Sequence, residues 1–338
     1  MEQKSVLIGM SGGVDSSVAA ALLKEQGYHV IGATMRLWTY SDSCNMKHEG
    51  CCAESAVEDA RRVCDKLGID FYVMNFKDMF KDKVVDYFVD EYIHGRTPNP
   101  CIACNKYLKF DALLKKALAM GIDYVATGHY AKIEKGEDGK YILRASEAVK
   151  KDQSYVLYNF TQEQLAHTLM PLGGYNKDWV RQKAEELGLG VAHKPDSQEI
   201  CFVEDDDYAK FITDYSGYKP KEGDILDVNG NVIGKHRGLI YYTIGQRKGI
   251  GAYGRPMFVM KIDAENNTIT LGEKGMEFSN ELTANDVNFV SGEFPKENML
   301  ITAKVRYQAP PAAAMLCPQK DGTVKLMFPE PQRAVTPG

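Results

Sequence analysis

The chain has 338 residues, of which 44% are hydrophobic and 26% charged, and its formal net charge is −5. This length allows two or three domains, and the composition is typical of a globular protein. No apolar run is long enough to span a membrane and residues 1–4 lack the features of a signal peptide, so we expect a cytoplasmic protein without a membrane partner. The acidic charge argues against a nucleic-acid partner, but residues 231–262 contain no Asp or Glu and carry six basic side chains interleaved with aromatic ones, a pattern suited to RNA.

The hydrophobic pattern of the first part of the chain alternates between strands and helices. It predicts strands over residues 5–8, 29–35, 70–75 and 123–127, and helices over 17–26, 53–67, 80–93, 109–120 and 179–187. Such alternation indicates an α/β fold with a doubly wound parallel sheet. From about residue 221 the pattern changes to short alternating runs and turn signals, which predict a small, mainly β central domain and a further β domain at the end.

A glycine-serine loop follows the first predicted strand. It consists of Gly9, Met10, Ser11, Gly12, Gly13, Val14, Asp15, Ser16 and Ser17. A helix that starts at such a loop presents free N–H groups and a positive dipole end to an anion, which predicts an ATP phosphate site with Asp15 as a Mg²⁺ contact. The loop lacks the lysine of a Walker A motif, and a simple tight turn with a helix cap is the alternative interpretation.

Two residues at the ends of later strands are candidates for the same site. Met35 and Gly128 stand where the second and fourth strands end, and the carboxyl ends of parallel strands are the usual ligand site of such a sheet. We therefore predict that both contact ATP, although a core methionine and a routine turn glycine are the plainer interpretations.

The eight cysteines include two groups that could carry chemistry. Cys44, Cys51 and Cys52, with His48, could form a metal clip, but a loop that covers the nucleotide is the favoured interpretation. Cys101 and Cys104 form a CxxC before a predicted helix, and Cys201 lies far off in sequence. Buried structural thiols, a redox dithiol and sulfur chemistry all remain open for this set.

Several motifs together resemble one family. They are SGGVDSS, TPNPCxxCN, GHYA, KDQSYxL, SxxxCF and the segment GxxxGxHxGLxxYTIGQRKG at residues 230–249. In this order and spacing they resemble the tRNA-specific 2-thiouridylase family (MnmA), within the PP-loop superfamily of N-type ATP pyrophosphatases. The resemblance implies a PP-loop domain over residues 1–205, a central tRNA-recognition domain over 206–280 and a C-terminal β-barrel over 281–338. The helical part of 160–195 is a candidate to pack with the central domain.

This resemblance implies ATP-dependent 2-thiolation of the wobble uridine, nucleotide 34 of tRNA. Adenylation of the C2 oxygen releases pyrophosphate, and sulfur then displaces AMP. The matching cysteines imply a persulfide on Cys201 and a nucleophile at Cys104, with a disulfide forming between them. The sulfur comes from a donor or relay protein, or from inorganic sulfide.

Cys101 departs from the aspartate that many family members have at this position. A CxxC with one distant cysteine resembles thiolating enzymes that bind a [4Fe–4S] cluster through three thiolates, so Cys101, Cys104 and Cys201 are also candidate cluster ligands, with a slight preference for the cluster. The alternatives in other classes are an amide-forming or argininosuccinate-type PP-loop enzyme, and a non-catalytic iron–sulfur protein that binds RNA.

The resemblance also implies a set of tRNA contacts around the anticodon stem-loop. These residues are Asn99, Pro100 and Cys101 at the target base, His129 beside the flipped nucleotide, Lys151, Asp152 and Gln153, and Arg306 and Tyr307 in the last domain. The family continues past residues 335–338 into further strands, so we expect either a truncated chain or a short member whose last barrel has an open edge.

Overall fold

The computed structural model describes residues 3–38, 54–196, 200–203 and 206–338. The proposed metal clip at Cys44, His48, Cys51 and Cys52 lies outside the described residues. Contacts between residues divide the chain into two units. The first comprises Met1–Val84, Pro100–Val203 and Asn288–Glu293, and the second comprises Val85–Asn99, Glu204–Val287 and Phe294–Gly338.

Helices dominate the first part of the chain and strands dominate the last part. The α-helices are α1 Val14–Glu25, α2 Glu54–Leu67, α3 Lys77–Phe80, α4 Asp86–Ile93, α5 Pro100–Ala103, α6 Leu113–Ala119, α7 Gln162–Ala166, α8 Lys177–Glu186 and α9 Tyr208–Ser216, with π-helical segments at Lys81–Val85 and Cys104–Ala112. The strands are β1 Ser5–Gly9, β2 His29–Arg36, β3 Asp70–Asn75, β4 Tyr124–Ala126, β5 Ala131–Lys135, β6 Tyr141–Ala145, β7 Thr168–Leu169, β8 Gly223–Leu226, β9 Val232–His236, β10 Met257–Asp263, β11 Thr268–Glu273, β12 Phe278–Ala284, β13 Met299–Ala303, β14 Ala312–Pro318 and β15 Val324–Arg333.

A five-stranded parallel sheet forms the centre of the first unit. Its order is β3-β2-β1-β4-β7, and each neighbouring pair runs parallel. The predicted doubly wound α/β fold is therefore confirmed. The strand order reverses between β1 and β4, so the loops after these two strands flank the switch point, where ligands bind in such sheets.

Buried apolar residues hold the helices against this sheet. Val6 and Ile8 of β1 are fully buried, as a central parallel strand requires. α8 packs against α1, and Val180 and Ala184 of α8 join the same core cluster. The helical part of residues 160–195 thus packs within the first unit, and its predicted packing with the central domain stays a prediction.

The helix that carries the CxxC begins earlier than the sequence suggests. The two prolines at 98 and 100 predict an extended backbone up to Cys101, and the hydrophobic pattern predicts the helix only from residue 109. Instead α5 begins at Pro100 and continues through the π-helical segment into α6. Proline suits the first position of a helix, because the N–H that it lacks has no partner there. Cys101 and Cys104 are therefore both helical.

Two four-stranded sheets dominate the second unit. One has the order β10-β11-β8-β9 and the other the order β12-β15-β14-β13. The pairs of the second sheet are all antiparallel, whereas β11 and β8 of the first sheet run parallel. The predicted change to β structure is confirmed, and the three exact domain boundaries stay a prediction. Among the described helices, none is long and apolar enough to cross a membrane.

Candidate active site

The phosphate loop is fixed by hydrogen bonds from its own serines. The Ser16 and Ser17 hydroxyls donate to the carbonyl oxygen of Gly13 over 3.2 and 2.8 Å. The Ser11 N–H donates to the Ser16 Oγ over 3.2 Å. These bonds curl the loop around the first turn of α1, where unpaired N–H groups and the helix dipole favour an anion.

Two glycines allow close backbone contacts around this loop. Gly12 has a φ of +72°, and a Cβ there would lie 2.2 Å from the carbonyl oxygen of Ala56. A Cβ on Gly128 would lie 2.7 Å from the backbone nitrogen of Ser16. Neither position can accept a side chain without backbone movement, so the loop after β4 lies directly against the start of α1.

A cavity of about 210 Å³ lies beside the phosphate loop. Its lining residues are Gly9, Met10, Ser11, Asp15, Ser16, Ala33, Thr34, Met35, Leu37, Lys109, Thr127, Gly128, His129 and Gln153. Most of the residues predicted to bind ATP line it, including Met35 and Gly128 from the other two strands. Gly12, Gly13 and Val14 shape the loop but do not line the cavity. His129 and Gln153, predicted as tRNA contacts, share it with the ATP residues.

A second, wider groove of about 630 Å³ lies near the ends of β2 and β3. Arg36, Glu54, Arg61 and Lys77 are among its lining residues, and no residue of the phosphate loop lines it. The predicted ATP residues that line a cavity therefore line the smaller one.

Asp15 is held by two partners that the sequence did not reveal. The Lys177 ammonium lies 2.8 and 2.9 Å from its two carboxylate oxygens, and the Tyr130 hydroxyl donates to it over 2.7 Å. The carboxylate that was predicted to contact Mg²⁺ thus already forms an ion pair. As arranged here, Asp15 does not fit the role of an open magnesium ligand.

Lys177 joins Asp15 to a second carboxylate, Asp196. Lys177 lies 2.6 Å from Asp196, and Lys151 and Arg181 approach the same carboxylate over 2.7 and 3.3 Å. Burial opposes the charge on Asp196, but hydrogen bonds from Lys151 and Lys177 outweigh it and lower its pKa. The network stays charged and ties the segment before Cys201 to the phosphate loop.

Lys194 makes a further link between this segment and the loop. Its ammonium donates to the carbonyl oxygen of Gly12 over 3.1 Å and lies 2.9 Å from Asp59. Because the C=O and N–H of one peptide point in opposite directions, anchoring the Gly12 carbonyl turns the Gly13 N–H away from Lys194. Lys194 therefore fixes the orientation of one peptide of the phosphate loop.

His129 is buried at the end of the loop after β4. Its Nδ1 is hydrogen-bonded to the Thr127 hydroxyl over 2.7 Å. Burial, and next the positive charge of Lys109, hold the pKa of His129 well below its ordinary value. The imidazole is therefore neutral at physiological pH and offers the cavity a polar, uncharged wall.

The three cysteines of interest differ in exposure. Cys101 is exposed, Cys201 is half-buried and Cys104 is buried, with 8% of its surface accessible. Cys64, by contrast, lies in the core, where burial raises the pKa of its thiol to about 12 and keeps it unreactive. Among the described residues, no three His, Cys, Asp or Glu side chains are grouped so as to hold a metal ion. In this arrangement the cysteines do not fit a cluster site, and the cluster stays a prediction.

The predicted tRNA contacts have internal partners in the structure. Asp152 accepts a hydrogen bond from the Ser154 hydroxyl over 2.6 Å, and the Gln153 side chain accepts one from the Tyr130 N–H over 2.9 Å. In the second unit, the Arg306 guanidinium donates to the carbonyl oxygens of residues 334 and 244 over 2.8 and 2.7 Å. These bonds orient the side chains, and their contacts with tRNA stay predictions, as do those of Asn99, Pro100 and Tyr307.

Sequence reasoning missed Lys109, Lys177, Lys194 and Asp196. Lys177 and Asp196 are separated from Asp15 by more than 160 residues, so spacing along the chain gives no sign of their contact. One sequence feature could have drawn attention to Lys177: Asn176 is a typical helix cap, so Lys177 stands at the start of α8. In the structure the Asn176 side chain accepts a 2.8 Å hydrogen bond from the N–H of Trp179.

Comparison with protein families divides the chain into three matches. A tRNA methyl transferase HUP domain family matches residues 4–205, a tRNA methyl transferase PRC-barrel domain family matches 209–273, and an aminomethyltransferase beta-barrel domain family matches 279–338. Among solved structures, a 4-thiouridine synthetase in complex with RNA and ATP is 17% identical with a TM-score of 0.38, over 57% of this chain and 43% of that one.

Two curated relatives are similar over nearly their whole length. The tRNA-specific 2-thiouridylase MnmA of Acetivibrio thermocellus is 58% identical over 100% of this chain and 95% of the relative. The protein of the same name from Clostridioides difficile is 58% identical over 99% of this chain and 93% of the relative. The family expected from the motifs is confirmed: the chain belongs to the tRNA-specific 2-thiouridylase (MnmA) family.

Proposed function

We propose that this chain catalyses ATP-dependent 2-thiolation of the wobble uridine, nucleotide 34, of tRNA. One observation carries the proposal: the phosphate loop, the Gly128–His129 turn and the helical segment that begins with Cys104 all contribute to one cavity or its wall. The predicted ATP residues and the predicted nucleophile Cys104 thus lie on neighbouring elements of one unit, which supports the proposal. Full-length similarity to MnmA proteins supports this interpretation.

The first step is adenylation of the base. The C2 carbonyl of uridine is a poor electrophile, so its oxygen must become a better leaving group. O2 attacks the α-phosphorus of ATP, the bond to the oxygen that bridges to the β-phosphorus breaks, and pyrophosphate leaves with the electron pair. The uridine gives its N3 proton to water. The N–H groups at the start of α1 hold the pyrophosphate charge.

The second step transfers sulfur. The terminal sulfur of a persulfide on Cys201 attacks C2, the C2–O bond breaks, and AMP leaves with the electron pair. The Cys104 thiol loses its proton to solvent and attacks the Sγ of Cys201. The sulfur–sulfur bond of the persulfide then breaks, its electron pair stays on the sulfur now bonded to C2, and a disulfide joins Cys104 and Cys201. A proton from water returns to N3 and completes 2-thiouridine.

Two exchanges with other molecules complete the cycle. A persulfide donor, such as a sulfur-relay protein, transfers its terminal sulfur to the Cys201 thiolate and is left as a thiolate. A dithiol reductant later reduces the Cys104–Cys201 disulfide with two electrons. A reducing compartment suits this chemistry, so we expect the protein to act in the cytoplasm.

Magnesium enters with ATP in this proposal, and no described residue is assigned to it. Lys177 already neutralises Asp15, so the chain itself brings a cation to the phosphate loop. In this proposal the thiols carry the sulfur chemistry, and a cluster held by Cys101, Cys104 and Cys201 is the alternative route.

The test is an assay of the purified protein with ATP, a persulfide donor and unmodified tRNA. We expect one pyrophosphate and one AMP for each 2-thiouridine formed. C104S and C201S should each abolish 2-thiouridine while pyrophosphate release in a single turnover persists. C317S, which removes a half-buried cysteine from β14, is the matched control and should behave as wild type.

Two results would contradict the proposal. Pyrophosphate release that needs another acceptor and leaves tRNA unthiolated would indicate an amide-forming or similar PP-loop enzyme. Binding of tRNA without any consumption of ATP would indicate a non-catalytic RNA-binding protein.

A further inference from the structure

A lysine on the cysteine-bearing helical run contributes to the ATP cavity. Lys109 lines the cavity together with the phosphate-loop residues Ser11 and Ser16 and with Gly128. Neither the ATP motif nor the cysteine motif includes it. The proposed chemistry has so far given this side chain no role.

The π-helical form of residues Cys104–Ala112 sets the direction of Lys109. In an α-helix, five residues advance the chain by about 500°, so residues 104 and 109 would point about 140° apart. A π-helix bonds each residue to the fifth one along, so Cys104 and Lys109 stand one turn apart on nearly the same side. The nonstandard helix therefore places the lysine and the thiol on one face. π-helical segments are rare and frequent at functional sites.

The charge of Lys109 is not balanced by a carboxylate in the part of the chain that the structure describes. Lys115, six residues along, pairs with Asp111 over 2.7 Å, whereas no ion pair or hydrogen bond joins Lys109 to any described residue. Asp15 is the one carboxylate among the described lining residues, and Lys177 already neutralises it. A half-buried ammonium without an anion favours binding of an anionic ligand.

The neighbouring histidine supports the same conclusion. The charge of Lys109 helps to lower the pKa of buried His129, so the two side chains are electrostatically close. Because His129 stays neutral, Lys109 supplies the positive charge on this side of the cavity. The start of α1 supplies the other positive end, at the phosphate loop.

We propose that Lys109 is a catalytic residue of adenylation, with its ammonium placed against the non-bridging oxygens of the ATP α-phosphate. This inference rests on the proposed function. The start of α1 holds the departing pyrophosphate, and the attacking uridine must also be reached by sulfur from the Cys104 side. The α-phosphate therefore sits between the loop and the face that Cys104 and Lys109 share. Lys109 stabilises the charge on the phosphoryl group as O2 bonds to it and pyrophosphate leaves.

The test compares Lys109→Gln, Lys109→Arg and the control Lys115→Gln in single-turnover pyrophosphate release with saturating ATP and tRNA. Removal of one preorganised charge should slow release by about 100- to 1000-fold in Lys109→Gln. Lys109→Arg should recover about tenfold of that loss, because it keeps the charge but not the position of the ammonium. Lys115→Gln, on the exposed face of α6, should match wild type.

Further readouts separate chemistry from binding and folding. The dissociation constant for tRNA, the thermal unfolding midpoint and persulfide loading of Cys201 should all stay close to wild type in Lys109→Gln, and ATP affinity should fall far less than the rate of pyrophosphate release. Pyrophosphate release within about threefold of wild type would overturn the inference. A defect confined to tRNA affinity would also overturn it and assign Lys109 to the RNA backbone. Failure of wild type itself to thiolate tRNA would instead contradict the proposed function.

Discussion

Lys177 lies 2.8 Å from one carboxylate oxygen of Asp15 and so connects the start of α8 to the phosphate loop at the start of α1. The same ammonium lies 2.6 Å from Asp196, five residues before Cys201. Only 12% of the Lys177 side chain is exposed, so water screens this network weakly. The phosphate site and the segment that leads to the sulfur carrier thus share one cation.

Removal of this cation should destabilise the fold. In Lys177→Met, two partly buried carboxylates lose their common partner, and we expect a loss of about 1–3 kcal/mol in unfolding free energy, less than for a fully buried pair because Asp15 is partly exposed. Urea denaturation measures the loss. The double variant Lys177→Met/Asp15→Asn should be more stable than Lys177→Met alone, because Asp15 loses its cation in Lys177→Met, whereas Asp196 keeps Lys151 and Arg181. An equal or lower stability of the double variant would show that the charge of Asp15 does not depend on Lys177.

Substitution of Gly128 should damage the ATP site through a backbone clash. A Cβ at this position would lie 2.7 Å from the Ser16 nitrogen and 2.8 Å from the Asp15 carbonyl carbon, and neither atom can move without the loop. We expect Gly128→Ala to lose about 1–3 kcal/mol of stability and to bind ATP more weakly. Gly174→Ala is the control, because a Cβ at Gly174 meets nothing within 4 Å. ATP affinity unchanged in Gly128→Ala would rule out the close approach.

His129 should make stability depend on pH. Its pKa is lowered in the folded protein, so below the ordinary value near 6.5 the unfolded chain binds a proton that the native histidine does not. Its contribution to stability is therefore complete above pH 6.5 and falls by up to about 1.4 kcal/mol per pH unit below it. Unfolding free energies of wild type and His129→Asn between pH 7.5 and 5 measure the difference in slope. Parallel curves would contradict a buried neutral histidine.

Iron reconstitution tests the thiol route against the cluster route. Because no three candidate ligands are grouped among the described residues, protein treated anaerobically with iron and sulfide should retain far fewer than about four irons per chain and show no broad absorption near ~400 nm. An iron content near four per chain in wild type, which is lost in each of the single variants Cys101→Ser, Cys104→Ser and Cys201→Ser, would instead establish the cluster. As a control, the same preparation is assayed for pyrophosphate release before iron and sulfide are added, which shows that the protein is folded.

Local signals predicted the elements that form the site better than the contacts between them. The predicted strand over residues 70–75 matches β3. An apolar run of residues that favour strands begins there, just after Gly68, which ends the preceding helix. Pro100 misled the prediction, since proline ends helices in general but also suits their first position. The hairpin strand β5 was missed because its residues 131–135 are largely polar and pair only with β6.

In the candidate site too, the local motif could be predicted from the sequence, but the contacts between distant residues could not. Gly9 to Ser16 could be predicted because a short motif determines its own conformation. The role proposed for Lys109 depends on a π-helical segment. The hydrophobic periodicity of the sequence does not predict where an α-helix changes to a π-helix. The partners of Asp15 come from another helix and from the turn after β4, so only the folded chain brings them together.

The most direct test of the account is a single turnover with labelled sulfur. Cys201 is loaded with a sulfur-35 persulfide, excess donor is removed, and ATP and unmodified tRNA are added without reductant. We expect the label to move to C2 of the wobble uridine, with one pyrophosphate released and one Cys104–Cys201 disulfide formed for each labelled nucleotide. Label that stays on the protein, or reaches tRNA while Cys104 remains a thiol, would contradict it.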